Sequence, residues 1–418
     1  MLKLVWLKEC EKEIYKFLWE DKPNKISKST VCKEYADGGL RMIDLKNTLT
    51  TLKVSWLKKV KDDDNLREII SDSVPDVNDI LKFGLEYSKK LSIEINNPFW
   101  KDVVKHFIAL SEKCKPVNYD EVLSEHIFYN FNIIRDNRII FIQEWADNNI
   151  LFIHQLLNDR DQLMTYQEFR GRHPWCQTNF LVYAGITEAV RNFLRKMNMQ
   201  QENITHNFYN KTSFTIAKGN KHVQKILNAN NFQPSAVNRW NTIYTDIAWK
   251  KVFAKLYTTT KDVQLRWFQY RLLHRILPTQ RYLHITKLSD DPICNFCMED
   301  EQDTCHLFYE CPVIFNFWKQ FECLLKNHCV HCSNVHISKR LVIFGYVENY
   351  KTDTIFDFLL LFAKFYIYKC KLNDMFPTMQ EFMLLLQNRY KLEKYVSSTK
   401  NESIKFQEKW RLYTNIVM

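Results

Sequence analysis

The 418-residue chain carries a formal net charge of +11, and 46% of its residues are hydrophobic. That hydrophobic content can fill the cores of roughly two to four domains and excludes a disordered chain. Only seven glycines occur, so neither a Walker A loop nor a glycine-rich dinucleotide motif can be assembled. Long stretches rich in Leu, Lys, Glu, Ile and Phe favour a mostly α, multi-helical fold with little β structure.

Residues 1–65 are predicted to form two helices joined by the glycine pair Gly38 and Gly39. Such a pair permits a tight turn that residues with a Cβ atom resist. Asp44 follows as a candidate N-cap of the second helix. The apolar residues of that helix recur at helical spacing, at Leu45, Leu49, Leu52, Trp56 and Val60.

The letters Tyr35-Ala36-Asp37 match the start of the Tyr-x-Asp-Asp hairpin of polymerases, where adjacent carboxylates help to hold two metal ions. Position 38 is glycine, and no Tyr/Phe-x-Asp-Asp occurs elsewhere in the sequence. We therefore interpret the match as a coincidence. The run 62–64, three aspartates, fits a solvated linker or helix end better than a metal site, because no other ligand lies nearby in sequence.

Residues 66–240 are predicted to form a helical middle region. Its tryptophans stand beside turn-forming residues, as expected where helices dock onto a shared core. No constellation of catalytic residue types occurs in this region. A stretch rich in Asn and Lys, from residue 201 to residue 238, is the best candidate for a linker to the next segment.

Positive charge is concentrated between Lys250 and Lys287, where nine basic residues accompany a single acidic residue, Asp262. This concentration favours a polyanionic partner, most simply a nucleic acid, either RNA or DNA. It lies in the third predicted segment, residues 241–325. The candidate nucleic-acid-binding residues are Lys250, Lys251, Lys255, Lys261, Arg266, Trp267, Arg271, His274, Arg275, Arg281 and Lys287.

One predicted helix of this segment carries two different stripes, and Pro278 is expected to end it. The apolar stripe comprises Leu265, Phe268, Leu272 and Ile276. The other stripe comprises Trp267, Arg271, His274 and Arg275. Guanidinium groups bind phosphates bidentately and aromatic rings stack on unpaired bases. The alternative to nucleic-acid binding is that the second stripe forms a charged, solvated face and that Trp267 belongs to the core.

The spacing Cys294-x2-Cys297-x8-His306-x4-Cys311 supplies three thiolates and one imidazole. This is the ligand set of a closed tetrahedral zinc site. The pattern predicts one structural Zn²⁺, because four protein ligands leave no open position for water or a substrate. Cys305, beside His306, is the alternative fourth ligand.

The last segment, residues 326–418, is predicted to be helical. Its most apolar stretch, 354–368, is interrupted by Asp357 and Lys364, which favours a buried helix over a membrane span. Cys329 and Cys332 form a further Cys-x2-Cys pair, whose metal binding stays open. The N-terminus acquires charges before an apolar core forms, so we expect no signal peptide and an intracellular protein, cytoplasmic or nuclear, with reduced cysteines.

Taken in order, several stretches resemble the C-terminal region of the reverse-transcriptase polyprotein of LINE-type non-LTR retrotransposons. In that family a Phe-x-Trp element and a Gly-Gly-Leu element follow the polymerase domain, matched here by Phe17 to Trp19 and by Gly38, Gly39, Leu40, Asp44 and Leu45. A helix ending in Leu-Pro-Thr and a zinc-binding module follow, matched by Leu277-Pro278-Thr279 and by Cys294, Cys297, His306 and Cys311. Asp303-Thr304 replaces the usual Glu-Thr, and Cys305 is additional.

This resemblance implies a thumb-like post-polymerase segment at 1–65 and, farther on, a segment that helps to hold template RNA in target-primed reverse transcription. It also implies a chain that lacks the polymerase and endonuclease domains and is not an enzyme by itself. The parent polymerase domain would act in cis if the chain is a fragment. The alternative function is a domesticated protein–protein interaction module with a structural zinc site.

Overall fold

The computed structural model describes residues 4–70, 77–197, 205–229, 232–328, 336–346, 353–411 and 413–417. The fold is mostly helical, as predicted. The first helices are α1 Leu4–Trp19, α2 Lys28–Val31, α3 Leu45–Asp62, α4 Asp64–Ile70, α5 Val77–Glu94, α6 Pro98–Ser111, α7 Tyr119–Leu123, α8 Gln143–Asp147, α9 Tyr166–Arg172, α10 Phe180–Met197, α11 Lys211–Lys218 and α12 Asn220–Asn228.

The remaining helices are α13 Ser235–Asn241, α14 Trp249–Thr259, α15 Val263–Leu273, α16 Gln280–Ile285, α17 Pro312–His328, α18 Lys339–Phe344, α19 Thr354–Leu372, α20 Met379–Thr399, α21 Ser403–Trp410 and α22 Thr414–Val417. Two 3₁₀ turns, Tyr35–Asp37 and Ile153–Leu156, and one π-helical turn, His306–Glu310, complete the helical structure of the described residues. The strands β1 Ile134–Arg135 and β2 Arg138–Ile139 form an antiparallel pair in which Ile134 faces Ile139.

The chain divides into two compact units. The first unit contains residues 1–21 and 43–230, and the second contains residues 22–42 and 231–418. The four segments expected from the sequence do not coincide with these units, because the stretch with the glycine pair packs with the second half of the chain.

In the first unit, α3 packs with α5 and α6 around a core that includes Leu57, Val103 and Phe107. Asp44 caps α3 as predicted, since its carboxylate accepts the backbone N–H of Asn47 at 2.8 Å. The predicted apolar stripe of α3 is wrong at Leu52, whose side chain is 53% exposed. The buried face comprises Thr50, Thr51, Val54, Leu57 and Val60.

The burial of the two α3 threonines has a local cause. Thr50 Oγ1 donates to the carbonyl of Lys46 at 3.0 Å, and Thr51 Oγ1 donates to the carbonyl of Asn47 at 2.8 Å. Each hydroxyl is thus satisfied within its own helix, and its methyl group can enter the core. Because threonine is a polar residue, the apolar pattern predicts a helix face that is rotated from the buried face.

The stretch predicted as a linker is largely helical. Helices α11 and α12 lie within it, and Ile216, Val223 and Leu227 belong to the same core as α3. The division between the two units falls between residues 230 and 231, inside the same stretch. The aspartate run lies at a helix junction, where Asp63 Oδ1 accepts the backbone N–H of Leu66 at 3.1 Å.

In the second unit, α19 is buried along nearly its whole length, as expected for residues 354–368. None of the helices in the described part of the chain combines the length and apolar character that a membrane span requires. Even Lys364 is only 1% exposed, and its Nζ donates to Gln269 Oε1 at 2.7 Å. Burial lowers the pKa of Lys364 to about 7.

The glycine pair forms a turn that packs inside the second unit. Gly38 has a φ of +80°, which favours glycine. Its carbonyl accepts a hydrogen bond from His274 Nε2 at 2.9 Å. Tyr35 stacks on Tyr257 with ring centroids 3.7 Å apart. The Tyr35-Ala36-Asp37 turn thus has a packing role.

Candidate metal centre

The first two predicted ligands lie in a short loop closed by backbone hydrogen bonds. The N–H of Cys294 donates to the carbonyl of Asp300 at 2.9 Å, and Ile293 forms an antiparallel bridge with Glu301. Within the loop, the N–H of Met298 donates to the carbonyl of Cys294 at 2.9 Å. This tight turn brings the thiols of Cys294 and Cys297 to the same side of the loop.

The other two ligands flank the π-helical turn. In an α-helix, residues five apart point about 140° away from each other. Here the N–H of Cys311 bonds to the carbonyl of His306 at 3.0 Å, the i to i+5 pattern of a π-turn. The wider turn lets His306 and Cys311 face the same point. Asp303 fixes the start of the turn, since its Oδ1 accepts the His306 N–H at 2.8 Å.

The structure brings the four predicted ligands together. Their donor atoms all lie within 4.8 Å of one another. Cys294 Sγ is 3.9 Å from Cys311 Sγ, and Cys297 Sγ is 3.3 Å from His306 Nε2. With Zn–S bonds of about 2.3 Å, tetrahedral geometry places two sulfurs about 3.8 Å apart. The donor set and its spacing therefore fit a tetrahedral zinc ion.

The thiol pair Cys294 and Cys311 is predisposed to lose a proton. The hydrogen bond between the two thiols lowers the pKa of Cys294 and raises the pKa of Cys311. Zinc binds thiolates, so the second proton leaves when the ion enters.

Cys305, the alternative ligand, faces a different neighbour. Its Sγ lies 3.8 Å from the hydroxyl of Tyr244, outside the group of four donors. Burial raises the pKa of this thiol to about 11. The geometry therefore favours His306, with Cys305 as a packing residue. The pair Cys329 and Cys332 lies outside the described residues.

Gln302 connects the metal centre to the helix that precedes it. The side chain is fully buried, and its Nε2 donates to Cys294 Sγ at 3.4 Å. Its Oε1 accepts the N–H of Gln280, the first residue of α16, at 3.2 Å. Both ends of the amide are therefore used, one to orient a ligand sulfur and one to hold the helix that follows Leu277-Pro278-Thr279.

We expect the substitution Gln302→Leu to weaken zinc binding roughly tenfold, because hydrogen bonds to ligand atoms fix their orientation and charge. Competition with a chromogenic zinc chelator measures the change. Gln320→Leu, at an exposed position on α17, is the matched control and should leave the affinity unchanged. Equal affinities for both variants would show that the Gln302 contact does not support the site.

The predicted nucleic-acid-binding residues differ in accessibility. The exposed ones are Lys250, Lys251, Lys261, Arg281 and Lys287. Those of intermediate exposure are Lys255, Arg266, Trp267, Arg271 and Arg275. Lys255 pairs with Asp357 at 2.7 Å, and Arg266 Nη2 donates to the carbonyl of Tyr257 at 2.9 Å. These two cations therefore already hold parts of the fold together.

His274 does not lie on an exposed stripe, which corrects the expectation. The side chain is 2% exposed, and burial lowers its pKa to about 4. The ring is therefore neutral at pH 7 and contributes no charge to a ligand. It contacts the rings of Phe253 and Tyr270 in addition to the Gly38 carbonyl.

The helix that carries the basic stripe ends before the proline. Its apolar stripe is buried as predicted, but α15 ends at Leu273, and Arg275 has a φ of +55°. The N–H of Ile276 donates to the carbonyl of Arg271 at 3.0 Å, which closes the helix end. Arg271 and Arg275 are therefore not one turn apart on a common helix face.

The sequence does not predict the contacts of two residues in this region. Gln302 is an uncharged residue inside a loop, and nothing in a single sequence marks it as a partner of a thiolate. Arg239 lies outside the basic run, yet its guanidinium reaches the carbonyl of His274 at 3.4 Å. A weak signal for Arg239 is its position one residue before the fully buried Trp240.

Residues 235–318 match the zf-RVT family model, described as zinc-binding in reverse transcriptase. The match begins with α13, contains all four candidate zinc ligands and ends within α17. No curated protein matches the chain. The matched segment is therefore similar to a zinc-binding region associated with reverse transcriptases.

Proposed function

We propose that this chain is a non-catalytic, nucleic-acid-binding part of a LINE-type non-LTR reverse transcriptase, placed C-terminal to the polymerase domain. Its role is to help hold template RNA during target-primed reverse transcription inside the cell, with the polymerase domain in cis. The observation that carries the proposal is the cluster of Cys294, Cys297, His306 and Cys311 inside the segment similar to the reverse-transcriptase zinc-binding family.

The chemistry of the centre supports a structural role for the metal. Three thiolates and one imidazole would hold Zn²⁺ and would close its coordination sphere, so the ion would supply rigidity to the fold. The ligands join the loop at 294–297 to the turn before α17, next to the basic segment. DNA synthesis by the chain alone, measured on a primed RNA template, would contradict the non-catalytic part of the proposal.

The exposed cations of the basic segment support binding to a phosphate backbone. Five of the predicted residues, Lys250, Lys251, Lys261, Arg281 and Lys287, are exposed. Arg281 lies 3.6 Å from Glu301 at a position where both side chains are more than half exposed, so this pair is weak. When exposed lysines bind phosphates, the counterions of the nucleic acid are released, and the affinity therefore depends on salt concentration.

We expect single-stranded RNA to bind with an affinity that falls steeply with salt. Replacing Lys250, Lys251 and Lys261 together with glutamine should reduce the slope of log K against log salt by about 2, since each phosphate contact contributes about 0.7 for a single strand. Fluorescence anisotropy over a series of salt concentrations measures the slope.

The control for this experiment removes three exposed lysines of the first unit, Lys90, Lys105 and Lys196. It has the same change in net charge and should keep most of the wild-type slope. Absent or salt-insensitive binding by the folded, zinc-loaded protein would overturn the proposed function. An equal loss of slope in both triple variants would show that only the net charge matters.

A second candidate function, a domesticated protein–protein interaction module, has support from α20. On this helix the exposed fractions of Leu384, Leu392 and Tyr395 are 57%, 55% and 69%. Exposed apolar side chains on one helix are typical of surfaces that bind other proteins. A protein partner that remains bound after nuclease treatment would favour this function over RNA binding.

A further inference from the structure

Two arginines interact where α13 and α15 end, and the charge of one affects the other. Arg239 is in the last turn of α13, and Arg275 follows the end of α15. Arg239 Nη2 is 3.4 Å from the carbonyl oxygen of His274, and Arg275 Nη1 is 3.4 Å from the carbonyl oxygen of Arg239. Each arginine thus reaches the backbone next to the other, and together they bridge the two helix ends.

The side chain of Arg275 is held in place by an aromatic ring. Its Cζ lies 4.7 Å from the ring centroid of Trp240, which is fully buried and donates from Nε1 to the carbonyl of Leu273 at 2.8 Å. A guanidinium stacked on a rigid ring has lost much of its rotational freedom before a ligand arrives. Less entropy is then lost when the ligand binds.

The positive charge of this pair is only partly compensated. Within the described residues, the hydrogen bonds of both guanidinium groups go to carbonyl oxygens, and neither group forms an ion pair with a carboxylate. Burial lowers the pKa of Arg239, and the charge of Arg275 lowers it further. The helix C-termini offset part of this repulsion. A guanidinium has five N–H donors, so most donors remain for an anion.

We propose that Arg239 and Arg275 together bind a single phosphate group of a nucleic-acid backbone. The inference rests on the proposed function and deepens it by naming one phosphodiester subsite within the binding surface. Two guanidinium forks need an anion with several acceptor oxygens, which a phosphate supplies. Such a contact fixes the position of the strand and carries no sequence preference.

A double-mutant cycle on RNA binding tests the pair. The probe is a fluorescein-labelled single-stranded oligouridylate at constant ionic strength, and the variants are Arg239→Gln, Arg275→Gln and the double variant. We expect each single variant to bind about tenfold more weakly, as for one charge-assisted hydrogen bond. The double variant should bind hardly more weakly than either single variant, because both arginines hold the same phosphate.

Arg340→Gln is the matched control. Arg340 belongs to the same unit, and its Nη2 also donates to backbone carbonyls, those of Thr245 at 2.9 Å and Asp246 at 2.7 Å. The Arg340→Gln substitution removes the same charge and should weaken RNA binding less than twofold. Zinc content and unfolding temperature of every variant establish that it is folded.

The outcomes separate this inference from the proposed function. Losses of RNA affinity that are additive and no larger than that of Arg340→Gln would overturn the shared phosphate. Unchanged RNA binding with a lower unfolding temperature would also overturn it, because both arginines would then only cap the two helices. If the wild-type protein binds no RNA, the proposed function fails. Inorganic phosphate then tests the subsite without RNA. At constant ionic strength it should raise the unfolding temperature of the wild type and not that of the double variant. An equal rise in both proteins would overturn the subsite.

Discussion

Replacing Cys294 or Cys297 with serine is expected to abolish zinc binding and to unfold the segment around the metal centre. Apparent free energies of structural zinc binding are roughly 10–16 kcal/mol in small zinc-binding peptides. A whole domain is usually stable by only about 5–15 kcal/mol. Since the loop at 294–301 and the turn before α17 meet through the ligands, loss of the ion should remove most of the stability of this segment. We expect one equivalent of zinc in the wild-type protein and none in either variant.

Elemental analysis measures the metal, and thermal unfolding measures the stability. The controls are Cys305→Ser, which changes the buried thiol beside Tyr244, and Cys323→Ser, which changes an exposed thiol on α17. Both should retain one equivalent of zinc. Loss of zinc from Cys305→Ser alone would make Cys305 a ligand in place of His306. Wild-type zinc content in Cys294→Ser would contradict the predicted ligand set.

The cluster of four candidate zinc ligands could be predicted from the sequence because metal chemistry restricts both residue type and spacing. Few residue types bind zinc, and Cys294 and Cys297 stand at the separation that a single loop can fold around an ion. The contact from Gln302 to Cys294 follows from no such restriction. The sequence pattern does not specify which polar residue occupies position 302. Only the folded loop shows that the Gln302 amide lies 3.4 Å from Cys294 Sγ.

Helix faces were predicted correctly where apolar residues alone form the face. The stripe through Leu265, Phe268 and Leu272 is buried. The prediction failed where a polar side chain finds a partner inside the protein. His274 is buried because the carbonyl of Gly38, 236 positions away in sequence, accepts its hydrogen bond. Neither sequence periodicity nor charge can indicate a partner that distant, so the sequence pattern predicts a surface position for the ring.

The same contact shows why the glycine pair matters to the basic segment. Gly38 and Gly39 lie in the loop that supplies the acceptor for His274. The N–H of Leu40 donates to the carbonyl of Val31 at 2.9 Å, and the N–H of Gly39 donates to the carbonyl of Glu34 at 2.9 Å. The loop at 31–42 is thus tied to itself by backbone bonds, and the end of α15 packs against it.

Gly39→Ala is expected to destabilise the second unit by about 3 kcal/mol or more. A Cβ atom at position 39 would lie 2.0 Å from the carbonyl oxygen of Lys33. That oxygen cannot move away freely, because it accepts the N–H of Arg41 at 3.0 Å. The clash is therefore between two backbone segments, and a change of side-chain rotamer cannot relieve it. Urea unfolding, followed by the release of zinc as a signal from the second unit, measures the loss.

Gly171→Ala is the control for this substitution. Gly171 lies in α9, and a Cβ atom there would have no atom within 4 Å. Alanine favours a helix over glycine by about 1 kcal/mol, so this variant should be at least as stable as the wild type. If Gly39→Ala released zinc at the wild-type urea concentration, the loop at 31–42 would not support the metal-binding half of the chain. In Gly38→Ala, the Cβ atom would lie 3.0 Å from the ring of Phe253. A loss of stability in both variants would instead show that the glycine pair stabilises the helices that carry the basic residues.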